Sequence, residues 1–213
     1  MAKKTEVKMI EVPEICPQVA TVTIVGDSDL VLNKMNDVTV RELTGIRTGR
    51  AKSTEKPNVW EEIITSIHWR DGKPSEFSEE SLEKALKENA PCISAFGLKK
   101  QLNKAVVRNK IETYSTAFDA NVNIISYKGN GLIPIKFAEH FIDELLMQPK
   151  KGKPVLQRIN RFSGWSATFD ISYMENVFSL SSILNIINLT GFGIGIQSGT
   201  SSGFGRFHVE DVK

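Results

Sequence analysis

Cysteine is nearly absent from this chain. Cys16 and Cys92 are the only two in 213 residues, and neither has a CxxC partner or a nearby histidine pair. That spacing excludes a disulfide framework and a zinc site, and it reads as two reduced thiols of a cytoplasmic protein. The three histidines, His68, His140 and His208, have no metal-ligand spacing, so structural roles are expected for each. No apolar run reaches the roughly 20 residues that cross a bilayer, and the start Met1-Ala-Lys-Lys-Thr5 lacks the apolar stretch of a signal peptide. No membrane partner is expected. No paired carboxylates frame a basic segment, and neither GxSxG nor HExxH occurs, so no catalytic constellation, metal or cofactor is expected. What remains, with 40% hydrophobic and 24% charged residues, is an ordinary globular chain long enough to bury one core without staples.

Charge is present in both signs but unevenly placed. The formal balance of +2 hides three basic stretches. Residues 41–56 hold Arg41, Arg47, Arg50, Lys52 and Lys56 against Glu42 and Glu55. Residues 97–110 hold Lys99, Lys100, Lys104, Arg108 and Lys110 with no acid, and residues 149–161 hold Lys150, Lys151, Lys153, Arg158 and Arg161 with none. Residues 57–91 run the other way, with eight acids against four cations, and are expected to face away from an anionic ligand. Solvated faces that merely differ in sign are the simpler account of the same pattern.

Residues 1–17 read as a loosely held arm, and residues 18–213 as a single domain with an insertion at about 33–90. The alternation of Val19-Ala-Thr-Val-Thr-Ile-Val25 predicts a half-buried strand. The stretch after Asp29 to about residue 56, with Gly45, Gly49 and no sustained period, predicts a mobile basic loop. Asn58, Ser78, Ser94 and Ser179 stand where a side-chain oxygen caps a helix, ahead of apolar residues at helical spacing. Those helices are predicted to end near Ile67, Asn89, Arg108 and Gly191. On the third, Lys100, Lys104 and Arg108 recur every four residues and share one exposed line. Val122–Tyr127 and Leu132–Phe137, joined by Lys128-Gly-Asn-Gly131, predict one hairpin. Val155–Phe162 and Trp165–Tyr173, turned by Ser163-Gly164, predict another. A last strand is expected over Gly203–Val209. Strand, helix and strand after an antiparallel pair predict an α+β, ferredoxin-like antiparallel sheet with helices on one face and an inserted basic loop and helical region.

The most distinctive stretch is Gly191-Phe-Gly-Ile-Gly-Ile-Gln-Ser-Gly-Thr-Ser-Ser-Gly-Phe-Gly205, followed by Arg206-Phe207. It follows a helix and opens none, so it is not a dinucleotide fingerprint, and no Gly-Lys-Ser/Thr closes it as in a P-loop. Glycines at this density permit positive φ and close approach of backbone to another chain or to a phosphate, or else form a tight loop ribbed by Phe192, Ile194 and Phe204. Gly193-Ile-Gly195 and Gly203-Phe-Gly205 resemble the glycine-rich loop of the RAMP superfamily, the ferredoxin-like (RRM/RAMP-like) RNA-binding subunits of CRISPR effector complexes. Pro91-Cys-Ile-Ser94 leading into Leu98-Lys-Lys-Gln-Leu102 is similar to the start of the basic helix in RAMP subunits that hold guide RNA. The strand around Trp165, the helix from Ser179 to Leu189 and the glycine-rich ending also resemble a family of uncharacterised phage proteins, over most of residues 19–209. The chain lacks the catalytic constellation of RAMP nucleases, so the resemblance does not imply their cleavage activity.

Single-strand binding needs cations along a groove and flat side chains for bases. Arg41, Arg47, Arg50 and Lys52 could close over a strand, Lys99, Lys100 and Lys104 could line it, and Arg158, Arg161 and Arg206 could reach it. Gly193, Gly195, Gly199, Gly203 and Gly205 would bring backbone N–H groups to a phosphate. Trp165, Phe162 and Phe204 are expected in the core, with stacking on bases as the alternative. The sequence thus predicts a phage-type, sequence-tolerant binder of single-stranded DNA or RNA that assembles side by side as a homo-oligomer. The competing expectations are a phage assembly or anti-defence protein without nucleic acid, and a RAMP-like RNA-processing endonuclease with His68 as base.

Overall fold

The structure, a computed structural model, describes residues 15–47, 58–113, 115–147 and 155–213. Strands β1 (Pro17–Gly26) and β2 (Leu30–Leu32) lead into helices α1 (Asp37–Arg47) and α2 (Val59–Thr65). Then come β3 (His68–Trp69), α3 (Glu79–Glu88), β4 (Pro91–Ser94), α4 (Ala95–Arg108) and α5 (Thr116–Asn121). Strands β5 (Val122–Ile125), β6 (Leu132–Lys136), β7 (Glu139–Met147), β8 (Val155–Ser163) and β9 (Ser166–Met174) precede α6 (Leu180–Gly193) and β10 (Phe207–Val212). The four predicted caps all form. Asn58 Oδ1 accepts from Trp60 N at 2.9 Å, Ser78 Oγ from Ser81 N at 3.1 Å, Ser94 Oγ from Gly97 N at 3.1 Å, and Ser179 Oγ from Ser182 N at 3.2 Å. Each satisfies a first-turn N–H that would otherwise be orphaned.

The central pairing is β1 with β9, antiparallel from Pro17 opposite Met174 to Val25 opposite Ser166. Alternation puts Ala20, Val22 and Ile24 of β1 and Ala167, Phe169, Ile171 and Tyr173 of β9 into the core. The seven-stranded sheet runs β10-β1-β9-β6-β4-β3, with β5 also on β9. Counting only β1, β6, β9 and β10, the order is last, first, third, second, the ferredoxin-like arrangement, with β4 and β3 added beyond β6. Helices α4 and α6 pack together, and their buried residues share one cluster with the inward faces of β1 and β9. A three-stranded sheet, β2-β8-β7, stands beside it. It is tied to α2 by Asn160, fully buried, whose amide donates to Ile63 O at 3.0 Å and to Ser66 Oγ at 2.8 Å.

Several expectations are corrected. Neither predicted hairpin forms. β5 and β6 run in one direction along β9, pairing with its residues 170–173 and 166–167 respectively, so they make one strand position interrupted by a looped-out turn. The reason is that turn: Lys128, Gly129 and Gly131 all take positive φ, and the six residues 126–131 bring the chain back onto the same partner. β8 pairs with β7 and β2 rather than with β9, because Gly164, with φ of +58°, carries the chain from one sheet into the other. Part of the expected mobile loop is α1, whose Thr39 N is capped by Asn36 Oδ1 at 2.8 Å. Ion pairs from Asp37 to Lys73 and from Arg41 to Glu61 hold it. Helix α6 continues two residues past Gly191, and the last strand begins at Phe207 rather than Gly203. Pro17, assigned to the arm, already pairs in β1, while residues 1–14 lie outside the described residues.

The approach of α6 to β10 generates one prediction. A Cβ on Gly191 would sit 1.9 Å from the Phe207 carbonyl oxygen, a contact that backbone on both sides cannot relieve cheaply. Gly191→Ala is expected to lower unfolding free energy by about 2–3 kcal/mol in urea titrations. Gly45→Ala in α1, where an added Cβ meets nothing within 4 Å, is expected to be neutral or stabilising in the same assay.

Candidate nucleic-acid interface

The glycine-rich segment folds back on the protein's own backbone. Gly195, Gly199, Gly203 and Gly205 take left-handed φ, while Gly193 is the last residue of α6. Gly205 shows what this permits: its N–H donates to Asp29 O at 2.8 Å, its carbonyl accepts from Ile196 N at 2.9 Å, and a Cβ there would lie 2.2 Å from Ile196 O. Ser28 Oγ donates to Gly203 O at 2.8 Å and accepts from Arg206 N at 3.0 Å. The β1–β2 turn and the glycine-rich segment are therefore one unit.

That unit abuts the start of α4. A Cβ on Gly97 would be 3.3 Å from Ser94 Cβ and 3.7 Å from the Gln197 amide nitrogen, so the α4 N-terminus and the residues after α6 share one end of the molecule. Two phenylalanines stand open there: Phe96 is 77% exposed and Phe192 87%. Arg206 Nη1 donates to Phe192 O at 2.8 Å, which fixes a guanidinium beside that ring's backbone. Exposed Lys100 and Lys104 follow Phe96 at steps of four along α4, and neither has an ion pair with a described residue. Sequence reasoning missed both rings. Phe96 falls out of phase with the apolar face of α4, a signal that was available. Phe192 sits between glycines, where no period applies.

Of the other sequence-predicted cations, Arg41, Lys99, Arg158 and Arg161 meet the fold's own carboxylates. Arg41 makes a bidentate pair with Glu61 at 2.7 and 3.0 Å. Arg158 meets Glu144 at 3.1 Å, and Arg161 bridges Asp29 at 3.1 Å and Asp143 at 2.7 Å. Lys99 is 15% exposed; its ammonium lies 3.2 Å from Asp119 O and 5.1 Å from the Phe118 ring centroid. Burial draws its pKa below the usual value while Asp119 pulls the other way. Lys99 anchors α5 to α4 instead of facing solvent. Arg47 ends α1. Arg50, Lys52, Lys56, Lys150, Lys151 and Lys153 lie outside the described residues. Phe162 and Trp165 are fully buried core residues, and Phe204 is partly exposed.

The histidines differ from one another in role. His68 pairs with Cys92 across β3 and β4; burial, reinforced by the charge of Lys34, lowers its pKa. His140 Nε2 lies 2.9 Å from Asn160 Oδ1, and burial lowers its pKa against that hydrogen bond. His208 Nδ1 lies 2.6 Å from Asp27 Oδ1 on a half-exposed rim. Burial pushes the Cys92 thiol up to about 12, an inert group. Among the described residues no His, Cys, Asp or Glu cluster could hold a metal, and no helix is long and apolar enough to cross a membrane.

No family model and no curated protein matches the chain. Among solved structures, the chain is similar to one from the Type III-B Cmr-beta assembly, determined by cryo-EM bound to cognate target RNA. That likeness has a TM-score of 0.49 at 13% identity, covering 92% of this chain and 60% of that one. It is also similar to Cmr6 from Pyrococcus furiosus, with a TM-score of 0.41 at 10% identity, covering 92% of this chain and 100% of that one. The chain thus spans 60% of the length of its Cmr-beta counterpart.

The two depressed histidines set a pH dependence. Their folded forms stay neutral, so the unfolded chain takes up protons first as pH falls. The stability they contribute is complete above the unfolded histidine pKa of about 6.5 and is lost as pH drops through it. The urea midpoint is expected to fall between about pH 7.5 and 5.5, and His140→Gln to flatten that slope. A midpoint that rises on acidification in this window would contradict the assignment.

Proposed function

We propose that the chain binds single-stranded nucleic acid, RNA or DNA, with little sequence preference, at the end formed by the α4 N-terminus and the glycine-rich segment. The observation that carries this reading is the pair Phe96 and Phe192, each more than three-quarters exposed, beside Lys100, Lys104 and Arg206. Every base offers a stacking face, so aromatic platforms bind strands without reading them, and cations supply affinity through the phosphates. Leaving a phenylalanine in water forgoes roughly 1.5–3 kcal/mol of burial, which a stacked base recovers. Copies bound next to one another along a strand would assemble side by side. The resemblance to phage proteins supports a phage setting for this activity. Binding without cleavage is the reading, since His68, the base of an endonuclease alternative, is held in β3 against Cys92.

The test is a fluorescence anisotropy titration with labelled 20-mers of RNA and DNA across salt. Affinity is expected to fall steeply with salt, and Phe96→Ala and Phe192→Ala each to weaken it about tenfold, the cost of one lost stack. Lys100→Gln with Lys104→Gln should shallow the salt slope by about one to two units. A salt-independent signal, or aromatic variants that bind like the parent, would overturn the proposal.

A further inference from the structure

Among the described residues, no α-helix covers the face of the seven-stranded sheet opposite α4 and α6. The same alternation that buries Val22 and Phe169 turns Thr23, Thr168 and Asp170 outward onto it. Here lies a basin of about 820 Å³, within the range of small-molecule sites. One side is cationic and aromatic. Lys128 and Tyr127 come from the looped-out turn between β5 and β6, with the Lys128 ammonium 5.0 Å and the Arg70 guanidinium 6.0 Å from the tyrosine ring centroid. Lys136 of β6 lines the same side. Lys128 sits at φ 48°, ψ 26°, a left-handed conformation uncommon for a residue with a side chain. Acids share the basin. Asp170 of β9 is in register with Ile125, next to the looped-out turn, and its Oδ1 accepts from Thr21 Oγ1 at 2.6 Å. Glu210 of β10 is separated from β6 by β9 and β1 across the floor. Asp170 Oδ2 has no hydrogen bond from a described residue.

A basin lined by cations, a flat ring and carboxylates matches a ligand that carries an anionic group and an amino-bearing aromatic ring. We infer that the open face of the sheet is a nucleotide site. The phosphate lies against Lys128, Lys136 and Arg70, and the base turns an exocyclic amine toward Asp170 and Glu210. Adenine, guanine and cytosine carry that amine; uracil has none, and the two carbonyl oxygens that flank its N3–H repel a carboxylate. The site is distinct from the strand-binding end and does not depend on it. The ligand is a free nucleotide or a nucleotide within a strand, the chemistry being shared.

Calorimetric titration of the full chain carrying Phe96→Ala and Phe192→Ala, which silences the strand-binding end, separates this site from that one. AMP, GMP and CMP are expected to bind, with UMP and inorganic phosphate each about tenfold weaker or worse. Lys128→Gln and Lys136→Gln should each cost about tenfold for all nucleotides, whereas Asp170→Asn should narrow the gap between CMP and UMP. These side chains are on the surface, and circular dichroism checks that each variant stays folded. Binding of mononucleotides identifies the free ligand as the source. Binding of short oligonucleotides alone, lost in Lys128→Gln, identifies a strand. Absence of both, equal affinity for CMP and UMP, or indifference to the lysine and aspartate variants would overturn the inference.

Discussion

The seam between the glycine-rich segment and the β1–β2 turn is the constraint on which the rest of the candidate site depends. Trp165, fully buried, lies so close over Gly26 that a Cβ there would be 2.1 Å from the indole nitrogen, and that nitrogen donates to Ser28 O at 2.8 Å. Ser28 in turn holds Gly203 and Arg206, and Asp29 accepts from Gly205. The indole thus fixes the turn, and the turn fixes the segment. Through Arg206 and Gln197 the segment then sets where Phe192 stands and what faces the start of α4. Few of these contacts involve a long side chain, so the entropy lost in forming them is mainly that of the backbone, largest at the glycines.

Charge is organised around that seam rather than spread along a trough. Arg161 lies between Asp29 on the β2 side and Asp143 on β7, with its guanidinium 5.1 Å from the Phe141 ring centroid. Exposed pairs such as Arg158 with Glu144 add at most about 1 kcal/mol each. Their effect on ligands is larger, because a guanidinium already facing a carboxylate attracts phosphate poorly. Lys100 and Lys104, which meet no described carboxylate, and Arg206, which binds a carbonyl, keep their charge available. The two faces of the main sheet differ. Among the described residues, one is closed by α4 and α6 over an apolar core, and the other carries threonines, a tyrosine and charges of both signs.

Much of the local structure was legible in the sequence. Asn58, Ser78, Ser94 and Ser179 cap the helices assigned to them because capping is decided within three residues of chain. The alternation in Val19–Val25 and Trp165–Tyr173 located β1 and β9 for the same reason. The segment from 37 to 47 was hidden by Thr39, Thr44 and Gly45, which are poor helix formers; packing on α2 and two ion pairs outweigh them.

By itself the sequence determined where the capped helices and the alternating strands β1 and β9 lie and which of their faces are apolar, since these follow from periodicity and neighbouring side chains. Tertiary structure alone decided that β5 and β6 share β9, that β8 joins β7 instead of β9, that Lys99 and Arg161 point inward to partners, and that Phe96 meets the glycine-rich end. Each of these is a choice of partner between residues far apart in the chain. Such choices are settled by the summed burial and hydrogen bonding of the whole core, which no local pattern of residues encodes.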